Sequence, residues 1–291
     1  MIIVKIWGGL GNQLFQYAFG KYLSLKLNTE LKFDLQTNYK STNFTNRSVG
    51  LNNFNINFSQ ATKSEISKFK YFDTDLFFRL ERKLIQKLPF LNRNYVVQDL
   101  KLPQKKETNF RDNCYYEGYW QSYKYLTLNE TILLNEISLK YSLKSGIEDS
   151  IDTIESSQSI SLHIRRGDYI SIKDNLELFG ICSINYYQEA IQYFTRQYSN
   201  PKFFIFSDDI NWAKENFIGT QYIYIEGNQP AQDMYLMSKC KDNIIANSTF
   251  SWWGAWLNSN KNKIIIAPKH WYNGAINNLT IDLIPGAWKR M

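Results

Sequence analysis

The segment 163–169, His-Ile-Arg-Arg-Gly-Asp-Tyr, combines an imidazole, two guanidinium groups and a carboxylate. It closes the apolar stretch 159–165, which is predicted as a buried strand, and α/β folds bind ligands beyond the carboxyl ends of their strands. A guanidinium at Arg165 or Arg166 can bind a phosphate through two parallel hydrogen bonds. Asp168 can orient one arginine or act as a base. A surface salt bridge beside a turn is the structural alternative.

A glycine-rich turn at 8–12, Gly-Gly-Leu-Gly-Asn, separates a predicted strand from a predicted helix. Gly9 and Gly11 allow the backbone to approach a ligand, and a helix N-terminus attracts anions. The spacing matches neither G-x-G-x-x-G nor a Walker loop. The turn therefore predicts either an anion site with Asn12 at the helix start or a tight turn that Asn12 caps.

A second junction between a strand and a helix, at 247–256, brings hydroxyl groups to a helix start. Ser248, Thr249 and Ser251 stand where the first turn of a helix has free backbone N–H groups. These groups can form a second anion site or serve as plain helix caps. The tryptophans of the segment could stack on a sugar or a base, but packing of the helix against the sheet is the favoured interpretation.

Asp208 and Asp209 follow the predicted strand 202–207 directly. A carboxylate at this strand end can accept hydrogen bonds from N1–H and N2–H₂ of guanine or from a ribose. The structural alternative is a cap for the helix that follows, and one aspartate can serve each role.

The elements that must position these groups alternate as in a parallel α/β protein. In the first half of the chain, apolar runs predict strands, and a helix follows the glycine-rich turn. The predicted strands are 2–6, 31–35, 95–98 and 114–118, and a basic amphipathic helix is predicted at 76–88.

The second half of the chain has the clearer alternation. Residues 127–158 are helical and polar, and the predicted domain boundary falls there, after residue 155. Beyond it, five strands alternate with helices, which predicts a doubly wound parallel sheet. These strands are 159–165, 202–207, 221–225, 243–246 and 263–267.

Composition narrows the class of protein. The chain has 291 residues, enough for two domains, and its 44% hydrophobic content excludes wholesale disorder. Three scattered cysteines and two histidines argue against structural zinc and fit a reducing compartment. No run of about 20 apolar residues occurs, and the apolar N-terminal run is too short for a signal peptide. We therefore expect a soluble cytoplasmic protein whose net charge of +7 suits nucleic acid, anionic lipid or a phosphorylated metabolite.

Together these segments resemble the α-1,2-fucosyltransferases of glycosyltransferase family 11. The matching segments occur in family order at 8–18, 162–170, 181–187, 204–212, 233–257 and 268–271. The resemblance implies an α/β fold of the GT-B type, with two Rossmann-like lobes and the nucleotide sugar in the cleft between them. Residues 1–155 would be the acceptor lobe, and residues 156–291 the lobe that binds GDP-fucose.

The resemblance also implies the reaction. L-fucose would pass from GDP-β-L-fucose to the 2-hydroxyl of a terminal β-galactoside, with inversion, in bacterial surface-glycan synthesis such as that of O-antigen. Neither a metal nor another cofactor is implied. Asp73-Thr74-Asp75 matches a D-x-D metal pattern, but it precedes a predicted helix instead of following an apolar strand, so helix capping is the favoured interpretation.

Related α-1,6- and protein O-fucosyltransferases assign roles to matching positions. The arginine that contacts the donor β-phosphate corresponds to Arg165, and a histidine near the nucleoside corresponds to His163. Guanine recognition falls on Asp208 or Asp209, and Asn12 faces the leaving group and the acceptor. The predicted donor-binding residues are Gly9, Gly11, His163, Arg165, Arg166, Asp208, Asp209, Ser248, Thr249, Phe250 and Ser251.

The catalytic base stays open among three carboxylates. Relatives carry a catalytic glutamate some residues past the arginine motif, but segment 171–183 matches no such pattern. Asp174 and Glu177 are candidates, and Asp168 is a third. With Arg165 and Asn12, they complete the predicted catalytic set.

Two alternatives stand beside this hypothesis. One is another GDP-sugar-dependent glycosyltransferase of the same fold. The other is a protein without catalytic activity that binds a glycan or a nucleic acid. A glycan-binding protein has no need for two adjacent arginines, and no nucleic-acid-binding motif occurs in the sequence. We expect no nucleic-acid partner. A lipid-linked acceptor, and a peripheral membrane contact through the basic residues Arg79, Arg82, Lys83 and Lys87, are left open.

Overall fold

The computed structural model describes residues 1–35, 48–70, 75–88, 94–98 and 110–291. The chain divides into two compact units, Met1–Ile137 with Ile281–Leu283, and Ser138–Thr280 with Ile284–Met291. The predicted boundary after residue 155 and the two lobe assignments stay predictions. Within the described residues, no helix is long and apolar enough to cross a membrane.

The first unit contains a five-stranded parallel sheet in the order β3-β2-β1-β5-β4. Its elements are β1 Ile2–Lys5, α1 Leu10–Leu27, β2 Leu31–Asp34, β3 Ser59–Gln60, α2 Lys63–Ser67, α3 Asp75–Lys87, β4 Tyr95–Val97, β5 Cys114–Glu117 and α4 Glu130–Glu136. Short 3₁₀ helices occupy Leu51–Asn53 and Tyr123–Tyr125. The strand β1 is central, and all of its residues are buried.

The second unit contains a six-stranded parallel sheet in the order β11-β10-β9-β6-β7-β8. Its elements are α5 Glu148–Glu155, β6 Ser159–Ile164, α6 Gly167–Ser171, α7 Lys173–Phe179, α8 Ile184–Gln197, β7 Lys202–Ser207, α9 Ile210–Asn216, β8 Tyr222–Tyr224, α10 Pro230–Lys239, β9 Asp242–Ile244, α11 Thr249–Trp256, β10 Ile265–Ala267 and β11 Lys289–Arg290. Short 3₁₀ helices occupy Tyr141–Leu143 and Gly274–Thr280.

Two parallel sheets with helical connections confirm the predicted α/β class. The apolar strand runs and the helices between them fall where the sequence predicts them, but the second sheet has a sixth strand, β11. This strand was missed because only two exposed residues pair, Lys289 with Ile266 and Arg290 with Ala267. The helices α6 and α7 were also missed, because they are short, polar and exposed.

Strand β6 forms the centre of the second sheet and is buried along its whole length. Side chains alternate between the two faces of a strand. Ile160, Leu162 and Ile164 pack in one apolar cluster with residues of α8. Ser161, on the opposite face, accepts a hydrogen bond from Asn243 at 2.7 Å. The strand therefore has an apolar face toward α8 and a second face that carries polar groups.

A buried ionic cluster lies in the first unit. Lys5 and Glu117, the last residues of β1 and β5, are both fully buried, and Nζ and Oε1 are 3.8 Å apart. Glu117 also accepts from Tyr95 Oη at 2.7 Å and pairs with Arg82 Nε at 3.2 Å. Arg82 therefore pairs with a buried carboxylate of the sheet, and the peripheral membrane contact of this helix stays a prediction. Burial is the main cause that lowers the pKa of Lys5 to about 7.

Replacing Lys5 with methionine should change how stability depends on pH. Because the folded-state pKa of Lys5 lies near 7, the unfolded chain binds more protons between about pH 7 and pH 10. Lys5 therefore makes the wild-type free energy of unfolding rise with pH in this window, and Lys5→Met lacks that rise. In urea unfolding, we expect the free energy of Lys5→Met relative to wild type to fall as pH increases.

The exposed lysine variant Lys68→Met is the matched control, and its difference from wild type should not vary with pH in this way. A pH-independent difference for Lys5→Met would contradict the prediction.

Candidate functional site

Two carboxylates hold Arg165 at the carboxyl end of β6. Its Nη2 lies 2.5 Å from Asp168 Oδ1, and its Nη1 lies 2.9 Å from Asp208 Oδ2. The guanidinium is largely buried, with 17% of the side chain exposed. Charge-assisted hydrogen bonds on two sides fix its orientation. The arginine is thus presented at the edge of the sheet in one geometry.

Arg166 is held separately. Its Nε donates to Asp209 Oδ2 at 3.1 Å, and its Cζ stacks 4.1 Å from the ring centroid of Trp212. Asp209 also accepts from the Trp212 backbone N–H at 3.3 Å and so caps α9. The backbone N–H of Arg166 donates to Asp208 at 2.8 Å. Both aspartates are therefore engaged within the protein, and guanine recognition by either one stays a prediction.

The register of two strands creates these pairs. Strands β6 and β7 are parallel, and Ile164 pairs with Ser207. One residue beyond this pair, Arg165 follows β6 and Asp208 follows β7. Two residues beyond it, Arg166 and Asp209 correspond in the same way. Each arginine therefore meets an aspartate from the neighbouring strand end. A shift of the register by one residue would separate both pairs.

Gly167 makes room for this arrangement. A Cβ atom at this position would lie 2.8 Å from Asp208 Oδ2, closer than van der Waals contact allows. The glycine after the two arginines is therefore needed because the Asp208 carboxylate packs against its backbone. This reason for the glycine is visible only in the structure.

His163 precedes the arginines and is buried, with 4% of its surface exposed. Within the described part of the chain, its Nδ1 has no hydrogen-bond partner. Burial is the main cause that lowers the pKa of His163 to about 3; Asp208 opposes this shift, and Arg165 adds to it. The imidazole is therefore neutral near pH 7 and can form a hydrogen bond without adding charge.

Serine hydroxyl groups at the N-terminus of α11 form hydrogen bonds with backbone groups of the same segment. Ser248 caps the helix by accepting from the Phe250 backbone N–H at 3.3 Å, and Ser251 Oγ donates to Ser248 O at 3.3 Å. Trp252 and Trp253 are fully buried, as expected for packing of the helix against the sheet. The Phe250 ring lies 5.5 Å from the His163 ring. Phosphate binding by this helix start, including Thr249, stays a prediction.

A feature that sequence reasoning missed supports Arg165 from a third side. The Tyr169 ring lies 5.5 Å from Arg165 Cζ and stacks on Phe179 at 4.8 Å. Tyr169 Oη donates to Asn247 O at 3.1 Å, and Asn247 Nδ2 donates to Phe179 O at 2.9 Å. These contacts tie α6 and α7 to the start of α11. The sequence signal for this arrangement was the pair of aromatic residues, Tyr169 and Phe179, on either side of segment 170–178.

The three candidate bases occupy different environments. Asp168 pairs with Arg165, whereas Asp174 and Glu177 are exposed on α7. Glu177 Oε1 lies 3.8 Å from Lys173 Nζ on the same helix. Among the described residues, no hydrogen bond or ion pair links Asp174 or Glu177 to Arg165. The structure thus brings Asp168 to the arginine and leaves the other two facing solvent.

The glycine-rich turn lies in the first unit. Gly8 has a positive φ of 81°, which favours glycine, and α1 begins just after Gly9. Asn12 therefore lies inside the first turn, so the alternative in which it caps the helix is wrong. Its Oδ1 accepts from Gln121 Nε2 at 2.9 Å. Gly11 is buried within α1, and ligand contacts by this turn stay predictions.

The D-x-D pattern at residues 73–75, interpreted above as helix capping, is only partly described. Asp73 and Thr74 lie outside the described residues, and Asp75 is the first residue of α3. The start of this helix at Asp75 agrees with the predicted position at a helix N-terminus.

A family model described as Glycosyl transferase family 11 matches residues 1–282. The chain belongs to glycosyl transferase family 11. This enzyme is 36% identical over 299 residues to Alpha-1,2-colitosyltransferase of Escherichia coli, across 100% of this chain and 99% of that protein. It is 34% identical over 303 residues to O-antigen biosynthesis glycosyltransferase WbnK of Escherichia coli, across 94% of this chain and 96% of that protein.

Other similarities to this family 11 enzyme are weaker. Galactoside alpha-(1,2)-fucosyltransferase 2 of Sus scrofa is 26% identical over 152 residues, which cover 49% of this chain and 44% of that protein. Among solved structures, fucosyltransferase NodZ from Bradyrhizobium has a TM-score of 0.52 at 14% identity, across 87% of this chain and 90% of NodZ. The family membership and the GT-B-like fold class predicted from sequence are confirmed.

Replacing Gly167 with alanine should destabilise the family 11 enzyme. The added Cβ would displace the Asp208 carboxylate, which holds Arg165 and the Arg166 backbone. Overpacking of this kind costs about 1–3 kcal/mol of unfolding free energy. Gly286→Ala is the matched control, since open space surrounds its Cβ position. Denaturant unfolding should show the loss for Gly167→Ala alone, and equal stability of the two variants would contradict the packing argument.

Proposed function

We propose that the protein transfers L-fucose from GDP-β-L-fucose to the 2-hydroxyl of a terminal β-galactoside with inversion, in the synthesis of a bacterial surface glycan. The observation that carries this proposal is the Arg165 guanidinium, held by Asp168 and Asp208 at the carboxyl end of a central strand. In a family 11 glycosyltransferase, a fixed cation at this edge suits a nucleotide diphosphate. The α-1,2 linkage follows the names of two relatives, Alpha-1,2-colitosyltransferase and Galactoside alpha-(1,2)-fucosyltransferase 2.

Arg165 has the role of stabilising the leaving group. As the bond between the sugar C1 and the β-phosphate oxygen breaks, negative charge grows on GDP. A guanidinium that two carboxylates already orient needs no reorganisation to meet that charge. Asp168 and Asp208 therefore act as positioning residues for Arg165. The N-terminus of α11 would add backbone N–H groups toward the phosphates.

The acceptor must lose a proton as it attacks. The galactose O2 forms a bond to C1 on the face opposite GDP, and its proton passes to a carboxylate, directly or through water. Asp168 is already engaged by Arg165, so Asp174 and Glu177 are the better candidates. The variants Asp174→Asn and Glu177→Gln separate these two candidates. Only the variant that lacks the catalytic base should lose the acidic limb of the kcat–pH profile, because protonation of that base causes the limb.

A second donor has a specific observation in its favour. The similarity to Alpha-1,2-colitosyltransferase covers the full length of both chains, whereas the similarity to Galactoside alpha-(1,2)-fucosyltransferase 2 covers half of this chain. Colitose is L-fucose without the 3-hydroxyl, so GDP-colitose offers the same diphosphate and base. The two donors differ in a single hydroxyl group on the transferred sugar.

Transfer assays with a panel of β-galactosides test the function. We expect product from GDP-fucose, in excess EDTA, with the new α-linkage at galactose O2 by NMR. GDP-mannose should react at least about tenfold more slowly, because its different sugar stereochemistry misplaces contacts in the site. Transfer from GDP-colitose alone would establish the second donor instead. No product from either donor would overturn the proposal, and loss of activity in EDTA would return Asp73 and Asp75 to consideration.

Arg165→Ala should lower kcat about 100- to 1000-fold. Removing one preorganised contact to developing charge usually costs about 3–4 kcal/mol of barrier height. Arg196→Ala, which removes an exposed arginine at the end of α8, is the matched control and should keep wild-type turnover. Steady-state kinetics with saturating donor measure both. Turnover near the wild-type value in Arg165→Ala would remove this arginine from the mechanism.

A further inference from the structure

The outer face of helix α3 carries leucines and lysines in two rows. Leu80, Leu84 and Leu88 recur every four residues, and 57%, 50% and 39% of their surfaces are exposed. Lys83 and Lys87 are also exposed, one position before Leu84 and Leu88. Residues four apart lie on the same side of a helix. An apolar row and a basic row therefore run side by side along α3.

The opposite face attaches α3 to the first sheet. Ile85 is buried in an apolar cluster that includes Ile3 of β1 and Tyr95 of β4. Arg82 Nε lies 3.2 Å from the buried Glu117 Oε1. These contacts fix the rotation of the helix about its axis. The leucine and lysine rows are consequently exposed while the helix is in its packed position.

The outer face has the character of an interaction surface. Exposed apolar side chains are common singly, but a contiguous apolar patch with a polar border is typical of a binding site. Glu81 is the only acidic residue of segment 80–88, and it is buried. The sequence extends the basic row by one place, since Arg79 stands four residues before Lys83. The face thus complements a partner that is negatively charged at its surface and apolar beneath it.

We propose that this outer face of α3 binds an anionic lipid bilayer, with the helix axis parallel to the membrane surface. Leu80, Leu84 and Leu88 enter the boundary between headgroups and acyl chains along a row about 12 Å long. Lys83 and Lys87 lay their alkyl stems against that boundary and keep their ammonium groups among the lipid phosphates.

The structure changes which residues the membrane contact uses. Composition pointed to a basic helix alone, but Arg82 is committed to Glu117, and three exposed leucines join the remaining cations. Apolar insertion and charge attraction act together in binding of this kind. The inference does not rest on the proposed function, because binding to a bilayer needs neither a sugar donor nor an acceptor.

Cosedimentation with lipid vesicles tests the inference on the wild-type protein. It should bind vesicles of equal parts phosphatidylglycerol and phosphatidylcholine at least about tenfold more tightly than vesicles of phosphatidylcholine alone, because each lysine near an anionic surface adds about fivefold. Binding should weaken as salt rises, since the Debye length falls from about 10 Å at 0.1 M to about 3 Å at 1 M.

A double variant removes the apolar row. Leu80→Gln combined with Leu84→Gln should lower the partition coefficient on the anionic vesicles at least about tenfold, because glutamine does not replace the apolar contact with the acyl chains. Leu25→Gln is the matched control, since Leu25 lies on α1 with 46% of its surface exposed. It should bind as wild type does.

A second double variant removes the basic row. Lys83→Gln combined with Lys87→Gln should lower binding to the anionic vesicles about fivefold for each lysine and reduce its salt dependence. Lys26→Gln, at an exposed lysine near the end of α1, is the matched control and should keep wild-type binding.

Three results would overturn the membrane assignment. One is a wild-type protein that stays in the supernatant with anionic vesicles at low salt, which needs no variant to fold. Another is wild-type binding by either double variant. The third is a dimer, seen by ultracentrifugation of a protein that binds no vesicles, which the leucine variant dissociates. The outer face of α3 would then join two copies of the chain.

Discussion

Two adjacent guanidinium groups at the end of a buried strand need negative partners, because like charges repel strongly where water is scarce. The parallel register of β6 and β7 supplies them, since it places Asp208 beyond Arg165 and Asp209 beyond Arg166. Two segments that are distant in the sequence therefore form one ion-pair ladder, which consists of Arg165 with Asp208 and Arg166 with Asp209. The remaining features of the site follow from keeping that ladder in place.

The residues around this ladder fit the same constraint. Gly167 leaves room for the Asp208 carboxylate, and Trp212 covers the guanidinium of Arg166. Asp168 and Tyr169 close the remaining sides of Arg165. Burial keeps His163 neutral, so no third positive charge adds to the pair. The result is a cation whose orientation is fixed before any ligand arrives, which is what stabilisation of a departing diphosphate requires.

Much of the fold could be predicted from sequence, because its strands are apolar runs and its helices carry caps and a 3.6-residue period. The strand over 202–207 falls at the predicted residues. Ion pairs between side chains that are far apart in the sequence could not be predicted in the same way. Nothing local indicates that Arg82 turns toward Glu117, or that the register joins Arg165 to Asp208.

The assignment of Arg165 to the β-phosphate is tested most directly by the affinities of GDP and GMP, which differ in that phosphate alone. Wild type should bind GDP at least about tenfold more tightly than GMP, as expected for a charge-assisted contact. Arg165→Ala should lose most of that difference while its GMP affinity changes little. If Arg165→Ala kept the wild-type preference for GDP over GMP, the β-phosphate would bind elsewhere and the proposed role of the arginine would be wrong.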